Sequence, residues 1–305
     1  MSFLYFLEGL RTPFLDTLFS LITHLGEETL LIVIGILIYW CISKREGLYL
    51  LAVGLTGTVI NQFLKLFVRI PRPWVLDENF TIVESARAEA TGYSFPSGHT
   101  QSAVGVFGCI ARWNSPLVLR IVCVALAALT AFSRMYLGVH TPLDVGVSVL
   151  IAAALVFLFY PLVHKVTQRD ETMRALFVVM IALSAAYLLF AETFPFPADI
   201  DADSYLHGVK NAYKMLGCIS GLFLAFELER RYIHFEEKAA LPVQALKLAL
   251  GLVLVFAIKE GTKPVLRALF AGHHIAEAVR YFFITVFAGC VWPLSFRRLN
   301  AIVGK

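Results

Sequence analysis

The chain has 305 residues, of which 58% are hydrophobic and 16% charged, and its formal net charge is +4. Soluble domains are about half apolar and about a quarter charged, so this composition predicts an integral membrane protein. The modest charge, without a run of basic residues, argues against nucleic-acid binding. The five cysteines lie in or beside apolar runs without paired spacing, which argues against a disulfide framework or a cysteine metal site.

The first 26 residues carry Glu8, Arg11 and Asp16 among Phe and Leu, which predicts one amphipathic helix lying in the membrane interface. Nine apolar runs follow, and they predict an all-α, polytopic fold. The runs are 29–43, 47–66, 97–111, 117–133, 143–164, 172–191, 211–228, 241–258 and 275–294. A spanning helix needs about 20 residues, and the first and third runs are shorter, so the number nine depends on them.

Lysine and arginine in the short loops predict the orientation, because cytoplasmic loops carry an excess of both. One set of loops holds most of them and is assigned to the cytoplasm together with the C-terminus. These residues are Lys44, Arg45, Arg112, Arg120, Lys165, Arg169, Arg174, Arg230, Arg231, Lys238, Arg297, Arg298 and Lys305. The opposite side carries the long loop 67–95 and the acidic loop 199–203, and nine spans place the N-terminal helix there as well.

Three short segments carry polar residues at the predicted span ends on the non-cytoplasmic side. They are 65–73, 96–99 and 133–144. Lys65, Arg72 and Arg134 would be costly in lipid, at about 2.5–3.5 kcal/mol each near the bilayer centre, and they would repel one another without an anion. A phosphate group resolves both problems, since guanidinium forks pair with phosphate oxygens. These three cations therefore predict a phosphate-binding site.

The second and third segments add groups that suit phosphate chemistry. Ser97 and Gly98 open a predicted helix, whose free N–H groups and dipole favour an anion, and the Ser97 hydroxyl adds a donor. His140 and Asp144 are four residues apart and share a face if the helix runs through them, although Thr141-Pro142 marks a helix start that offsets the pair. Asp144 would then orient the His140 imidazole. His99 has no evident carboxylate neighbour and is left as a proton donor.

These segments resemble the signature of the type 2 phosphatidic acid phosphatase superfamily, which includes vanadium haloperoxidases and glucose-6-phosphatase. The pattern is K-x6-RP, then PSGH, then SR-x5-H-x3-D, and all eleven specified positions are present in order. The resemblance implies His140 as nucleophile, Asp144 as its orienting partner and His99 as general acid. It implies a phosphate cradle without metal or other cofactor, formed by the residues Lys65, Arg72, Ser97, Gly98 and Arg134.

Three regions follow from the spans and the resemblance together. Residues 1–26 are the interfacial helix, 27–165 the phosphatase core, and 166–305 four further spans without an assigned role. Nine spans with an outward N-terminus are similar to the glucose-6-phosphatase and sphingoid-phosphate phosphatase branches. Trp74-Val75-Leu76-Asp77, after Arg72-Pro73, is also similar to the first of these branches.

The leading functional prediction is metal-independent hydrolysis of the terminal phosphate of a lipid phosphate or polyprenyl diphosphate, through a phosphohistidine. A sugar-phosphate phosphatase is the alternative. An anion transporter is disfavoured, because transporter sites lie near the bilayer midplane, often between repeated halves, whereas these charges lie near one surface. Haloperoxidase chemistry is disfavoured by the apolar composition. Membrane lipid is the expected partner, a bacterial cytoplasmic membrane is favoured over the endoplasmic reticulum, and the sequence sets no oligomeric state.

Other polar residues have simpler interpretations. His207, His273 and His274 stand outside any motif and are interpreted as structural. The loop between the first two segments contains Glu78, Glu84, Arg87 and Glu89. Gating of substrate entry and ordinary loop polarity explain these residues equally well.

Overall fold

A computed structural model describes residues 1–113, 116–164 and 169–303. The regular secondary structure of these residues is helical, without β-strands, which confirms the predicted all-α fold. Short 3₁₀ and π turns connect some of the helices. The α-helices are α1 Ser2–Gly9, α2 Pro13–Thr23, α3 Glu28–Cys41, α4 Lys44–Val68, α5 Pro73–Leu76, α6 Gly98–Arg112, α7 Leu117–Tyr136, α8 Pro142–His164, α9 Arg169–Thr193, α10 Ala202–Leu228, α11 Leu241–Leu269, α12 Ile275–Val286 and α13 Phe296–Val303.

Six helical segments in the described part of the chain are long and apolar enough to cross a membrane. They are Lys44–Leu76, Leu117–Tyr136, Pro142–His164, Asp170–Thr193, Leu241–Leu269 and Ile275–Ala301. The pair Pro13–Gly26 and Glu28–Cys41, bent by 51°, passes the same test together and raises the number to seven. The predicted nine spans are therefore not confirmed. Helix α6 has only 15 residues, and α10 is long enough but insufficiently apolar.

The outward faces of the spanning helices are apolar. On α7 the side chains of Leu117, Val118, Ile121 and Val124 are exposed, whereas Arg134 near its end is fully buried. Soluble proteins rarely expose apolar patches of this extent, so lipid is the medium that these faces suit. The chain is an integral membrane protein.

The chain folds into two compact units. Unit 1 comprises Met1–Ile32, Tyr49–Pro161 and Pro195–Gly208, and it contains all three polar segments. Unit 2 comprises Val33–Leu48, Leu162–Phe194 and Val209–Lys305. The predicted boundary between residues 165 and 166 lies outside the described residues, as do Lys165 and Lys305 among the predicted cytoplasmic cations.

Helix α6 is enclosed by the other helices of unit 1. It packs along α7, and the 3₁₀ turn His24–Gly26 lies against its start. A side chain added at Gly105 would contact Val53 of α4, and one at Gly108 would contact Val156 of α8. No residue between positions 98 and 111 is exposed. Because protein surrounds this helix, its length need not match the thickness of the bilayer.

The N-terminal region forms two helices instead of the predicted single one. The helix is interrupted at Leu10–Thr12, where the Thr12 hydroxyl accepts the Leu15 N–H at 3.3 Å and Pro13 occupies the first position of α2. Both features favour a new helix start. The predicted single interfacial helix is therefore not confirmed.

The charged side chains of residues 1–23 bond to other parts of unit 1. Glu8 accepts the Thr81 N–H at 3.0 Å, and Arg11 donates to the Thr81 carbonyl at 2.9 Å. Asp16 accepts the Tyr136 hydroxyl at 2.8 Å. The opposite face is an exposed apolar stripe. It consists of Phe3, Phe6, Leu10, Phe14, Leu18 and Leu21.

Unit 2 brings together several cations predicted to be cytoplasmic. Lys44 pairs with Glu229 at 2.8 Å, Arg174 with Glu227 at 2.7 Å, and Arg230 with Asp170 at 2.9 Å. Three segments distant in sequence, at the starts of α4 and α9 and the end of α10, thus share one end of this unit. That arrangement agrees with the prediction that these loops lie on one side of the membrane.

Candidate active site

The first and third polar segments meet at the ring of His140. Arg72 Nη1 lies 2.9 Å from His140 Nε2 and donates to the Val139 carbonyl at 3.0 Å. A guanidinium has only donors, so Nε2 must be the acceptor, with its lone pair unprotonated. The proton of the neutral ring therefore resides on Nδ1.

Carbonyl groups of the loop before the second segment hold two of the cations. Arg72 donates to Thr91 O at 2.7 Å and to Gly92 O at 3.1 Å. Lys65 donates to Tyr93 O and, at 3.4 Å, to Ser94 O. Four successive carbonyls thus orient both cations without neutralising them, since a carbonyl carries no net charge. Both side chains are buried.

The side chain of Arg134 has N–H donors that are not used within the described part of the chain. It is fully buried, and its Nη1 donates to the Thr23 hydroxyl at 2.6 Å, while Nε and Nη2 have no partner among the described residues. Its own carbonyl accepts the N–H of Val139 at 3.1 Å and of His140 at 3.2 Å, which ties this arginine to the nucleophile candidate. Buried polar groups almost always have partners, so two idle donors indicate a place for an acceptor.

The His140–Asp144 pair lies across the start of α8 instead of within it. The helix begins at Pro142, and Thr141 and Asp144 cap it reciprocally. Thr141 N–H donates to Asp144 Oδ2 at 2.7 Å, and Asp144 N–H donates to the Thr141 hydroxyl at 3.3 Å. This is a capping box with Asp at its third position. His140 Nδ1 faces the same Oδ2 at 3.5 Å, both side chains being buried.

The second segment forms the start of α6. Ser97 is the N-cap, and its hydroxyl oxygen accepts from Thr100 N–H at 3.4 Å and from the Thr100 hydroxyl at 3.0 Å. Its N–H donates to Asp144 O at 3.2 Å, which joins the second segment to the third. The Ser97 hydroxyl proton and the first N–H groups of α6 suit an anion at this helix end.

A buried amide lies beside this helix start. Asn61, one turn before Lys65 on α4, has both side-chain polar atoms buried without a partner in the described part of the chain. A Cβ placed on Gly98 would be 3.9 Å from Asn61 Oδ1. The sequence offered no signal for Asn61 beyond its spacing from Lys65.

His99 has a carboxylate neighbour that its sequence context did not reveal. Glu89 Oε2 lies 3.6 Å from His99 Nε2, a separation beyond ordinary hydrogen-bond length. Burial, and then the positive charges of Arg134, Arg72 and Lys65, hold the pKa of His99 well below its usual range, and a carboxylate at this distance opposes that effect. The interpretation of His99 as lacking a carboxylate neighbour was therefore wrong, because the two residues are ten positions apart across an irregular loop and the sequence does not indicate that they meet.

Glu89 also belongs to a small group of possible metal ligands. One ligand atom from each of His24, Glu27 and Glu89 lies within 4.8 Å of the others, and His24 Nδ1 contacts Glu27 Oε1 directly. His24 and Glu89 are exposed, and Glu27 is half-buried. Oxygen and imidazole donors suit a divalent cation. This group adjoins the site, since Glu89 faces His99 and Thr23, next to His24, accepts from Arg134, and sequence reasoning did not identify it.

The electrostatic environment of His140 joins the three segments. Burial, and then the positive charges of Arg72, Lys65 and Arg134, hold the pKa of the His140 imidazole well below its usual range. His99 adds a smaller effect in the same direction. A neutral ring at physiological pH keeps a lone pair available, which is the requirement for a nitrogen nucleophile.

The three histidines interpreted as structural are divided between the two units. His207 lies in unit 1, where Nε2 is 3.3 Å from the Thr91 hydroxyl. His273 and His274 lie in unit 2, against the ring of Tyr213.

Comparison with known proteins gives two family matches. The model described as PAP2 superfamily matches residues 46–168, and the model described as PAP2 superfamily phosphatase, transmembrane extension matches residues 213–303. The first match contains all three polar segments, and the second covers most of the last three predicted spans. No solved structure matches the chain.

Several curated proteins are similar to it. Phosphatidylglycerophosphatase B of Bacillus subtilis is 32% identical over 149 residues, which cover 45% of this chain and 69% of that protein. Undecaprenyl-diphosphatase BcrC of Bacillus subtilis is 36% identical over 118 residues, covering 39% of this chain and 58% of that protein.

Sphingosine-1-phosphate phosphatase 1 of Mus musculus is 26% identical over 182 residues, covering 58% of this chain. The match spans only 41% of that animal protein. The remainder of the animal protein has no counterpart in the match. With two family models covering separate parts of the sequence and a bacterial relative matched over two thirds of its length, the chain belongs to the PAP2 superfamily.

Proposed function

We propose that this chain is a metal-independent membrane phosphatase that removes the terminal phosphate of a lipid phosphate or polyprenyl diphosphate through a phosphohistidine on His140. The observation that carries the proposal is the contact between Arg72 Nη1 and His140 Nε2 at 2.9 Å. It places an unprotonated ring nitrogen beside a cation that pairs well with phosphate. Asp144, facing Nδ1 at 3.5 Å, supports the same tautomer.

The first chemical step forms a bond between nitrogen and phosphorus. The Nε2 lone pair attacks phosphorus in line, and the bond between phosphorus and the leaving oxygen breaks. His99 donates its proton to that oxygen, so the leaving group departs as an alcohol or as a protonated phosphate. Developing charge on the phosphoryl oxygens is stabilised by Arg72, Lys65 and the idle donors of Arg134.

The second step restores the enzyme. Water attacks phosphorus while His99, now unprotonated, accepts a proton from it. The phosphorus–nitrogen bond breaks, its electron pair returns to Nε2, and inorganic phosphate leaves. With His140 neutral and His99 protonated for the first step, the three cations and Asp144 bring the site to about +3, which attracts a phosphate monoester of about −1.5 to −2.

A lipid substrate is favoured over a soluble one. The chain is an integral membrane protein, and the relatives described above carry names referring to sphingosine-1-phosphate, undecaprenyl diphosphate and phosphatidylglycerophosphate. The decisive experiment is a phosphate-release panel with purified protein in detergent. It should include phosphatidate, phosphatidylglycerophosphate, undecaprenyl diphosphate, a sphingoid-base phosphate and glucose phosphate.

We expect turnover of at least one lipid substrate to exceed that of glucose phosphate, and to persist in EDTA. A preference for the sugar phosphate would refute the lipid assignment. Activity that disappears in EDTA and returns with a divalent ion would refute the metal-free mechanism. In that event, His24→Ala would show whether the group formed with Glu27 and Glu89 holds the ion.

The activity should follow a bell-shaped pH profile. Because burial and neighbouring cations lower the pKa of His140, the acid limb of kcat/KM should lie below the ordinary histidine value of about 6.5. The profile must be corrected for the second ionisation of the substrate phosphate, whose pKa is about 6.

Glu89→Gln should move the basic limb to lower pH, since protonated His99 loses its neighbouring carboxylate. An unchanged basic limb would remove Glu89 from the mechanism.

The orientation predicted from the sequence is part of the proposal. The site would open on the non-cytoplasmic side of a bacterial cytoplasmic membrane, with the C-terminus in the cytoplasm and the apolar stripe of α1 and α2 in the interface. Clustering of Lys44, Arg174 and Arg230 at one end of unit 2 supports it. A C-terminal reporter that works only outside the cytoplasm should be inactive, and an active one would reverse the assignment.

A further inference from the structure

Ser94 joins the three signature segments although no motif position specifies it. Its N–H donates to Ile70 O at 2.8 Å, and its carbonyl accepts from Lys65 Nζ at 3.4 Å, both in the first segment. Its hydroxyl donates to Asp144 Oδ2 at 2.6 Å, in the third segment. Ser94 itself is fully buried and lies two residues before the second segment. Each of its polar groups is thus used in bringing the site together.

The hydroxyl lies where it can set the position of the Asp144 carboxylate. Oδ2 accepts from the Ser94 hydroxyl at 2.6 Å and from Thr141 N–H at 2.7 Å. Bonds of this length to a carboxylate are strong, charge-assisted hydrogen bonds. His140 Nδ1, by contrast, is 3.5 Å from Oδ2 and 3.5 Å from the Ser94 oxygen.

These distances give the serine oxygen a particular role. A separation of 3.5 Å is longer than an ordinary N–H···O bond, so Asp144 alone holds the imidazole loosely in the ligand-free site. The Ser94 proton is directed at Asp144, which leaves lone pairs of the serine oxygen facing Nδ1–H. Two acceptors therefore share the Nδ1 proton, and both depend on the Ser94 hydroxyl for their position.

We propose that Ser94 is a positioning residue that fixes the Asp144 carboxylate and, through it, the tautomer and orientation of the His140 ring. The inference rests on the proposed function, because it concerns the nucleophile of that reaction. Ser94 acts through Asp144 and Nδ1 and makes no bond to phosphorus. Its loss leaves the cradle cations in place but frees the carboxylate and the ring to turn away from the attacking geometry.

Ser94→Ala should lower kcat by about 10²-fold, the scale expected for a misplaced reacting group. KM and the inhibition constant of inorganic phosphate should stay within about twofold of wild type, because Lys65, Arg72 and Arg134 remain. The acid limb of the kcat profile should move to higher pH. Without the serine proton, the full charge of Asp144 acts on the imidazole and favours its protonated form.

The pH readout must consider every charged group around His140. These groups are Asp144 on α8, Lys65 on α4, Arg72 after α4, Arg134 on α7 and His99 on α6. None of them is changed by the substitution at Ser94, so a shifted limb reports the altered partner of Nδ1.

Ser148→Ala is a matched control within α8. Ser148 is also a fully buried serine bonded to Asp144, but its hydroxyl donates to the backbone carbonyl at 2.9 Å and not to the carboxylate. This variant should keep wild-type kcat and pH profile, and Ser94→Thr, which retains a hydroxyl, should recover much of the lost kcat. Thermal unfolding with and without inorganic phosphate shows whether each variant is folded and binds.

Wild-type kcat and pH profile in Ser94→Ala would overturn the inference. Equal losses in Ser94→Ala and Ser148→Ala, with a raised KM in both, would also overturn it, because they would indicate a purely structural role. His140→Ala is measured in parallel. If it retains turnover, the proposed function fails. If it is inactive while Ser94→Ala is unaffected, only the positioning role fails.

Discussion

Replacing His140 with alanine is expected to lower kcat by at least about 10⁴-fold, the scale seen when a catalytic nucleophile or its base is removed. The cradle of Lys65, Arg72 and Arg134 stays intact in this variant, so the inhibition constant of inorganic phosphate should change little. A large loss of kcat with retained phosphate binding is the signature of a group that acts on the reacting bond. Phosphate release from the best substrate of the panel measures it.

The covalent intermediate can be tested directly. Rapid denaturation in alkali of wild-type protein turning over a phosphate-labelled substrate should trap label on the protein, because the phosphorus–nitrogen bond of phosphohistidine survives base. The label should map to His140 and be absent from His140→Ala. His273→Ala is the control, since this exposed histidine lies in unit 2 against Tyr213. Wild-type turnover in His140→Ala, or label on another residue, would contradict the mechanism.

Much of the candidate site could be predicted because its chemistry is concentrated in short segments. A lysine or arginine at the end of an apolar run has few stable environments, and three such cations near two histidines favour an anion. Pro96 and Ser97 indicate a helix start by local rules, and the structure has Ser97 as the N-cap of α6. These inferences needed only neighbours in sequence.

The partners of those residues could not be predicted in the same way. Thr23 lies 111 positions from Arg134, and Ser94 lies 50 positions from Asp144. Each is a common residue whose importance comes from where the fold places it. The capping box of Thr141 and Asp144 was visible in part, because Thr-Pro marks a helix start. The sequence did not indicate that the Asp144 oxygen in this capping box is also the one that faces His140.

The number of spans illustrates a different limit. Hydropathy describes composition and not surroundings, so the apolar run at 97–111 resembled a short span. In the structure α6 is enclosed by protein along most of its length. Helix α10 shows the converse, since Lys210 and Lys214 dilute the hydropathy of a helix of 27 residues. Helices surrounded by protein can be short or partly polar, so a hydropathy criterion that assumes contact with lipid does not describe either helix correctly.

Arg134→Met should abolish phosphate binding and at the same time stabilise the ligand-free protein. Within the described part of the chain, the side chain of Arg134 is fully buried, makes one hydrogen bond, to Thr23, and leaves Nε and Nη2 without a partner. Losing a bond to a charged group costs about 1.5–3 kcal/mol. Removing a poorly compensated buried charge relieves several kcal/mol, so the second effect should prevail. The activity kcat/KM should fall by at least about 10²–10³-fold, as when one preorganised donor is lost.

Thermal unfolding in detergent separates the two effects. Inorganic phosphate at about 100 times its Kd should stabilise wild type by about 2.7 kcal/mol, since it binds only the folded state. Arg134→Met should have a higher Tm than wild type without phosphate and little or no further rise with it. Arg174→Met is the matched control, because both of its bonded nitrogens pair with Glu227, at 2.7 and 3.2 Å.

That control should lower the Tm or leave it unchanged, and it should keep the phosphate-induced rise. A lower Tm of Arg134→Met with a preserved phosphate response would mean that its idle donors serve the fold and not the ligand. A higher Tm of Arg134→Met without a phosphate response would mean that the protein retains an unfavourable buried charge, which bound phosphate compensates. The buried charge would then destabilise the protein without phosphate, and phosphate binding would remove that destabilisation. The same interaction orients the substrate before His140 attacks.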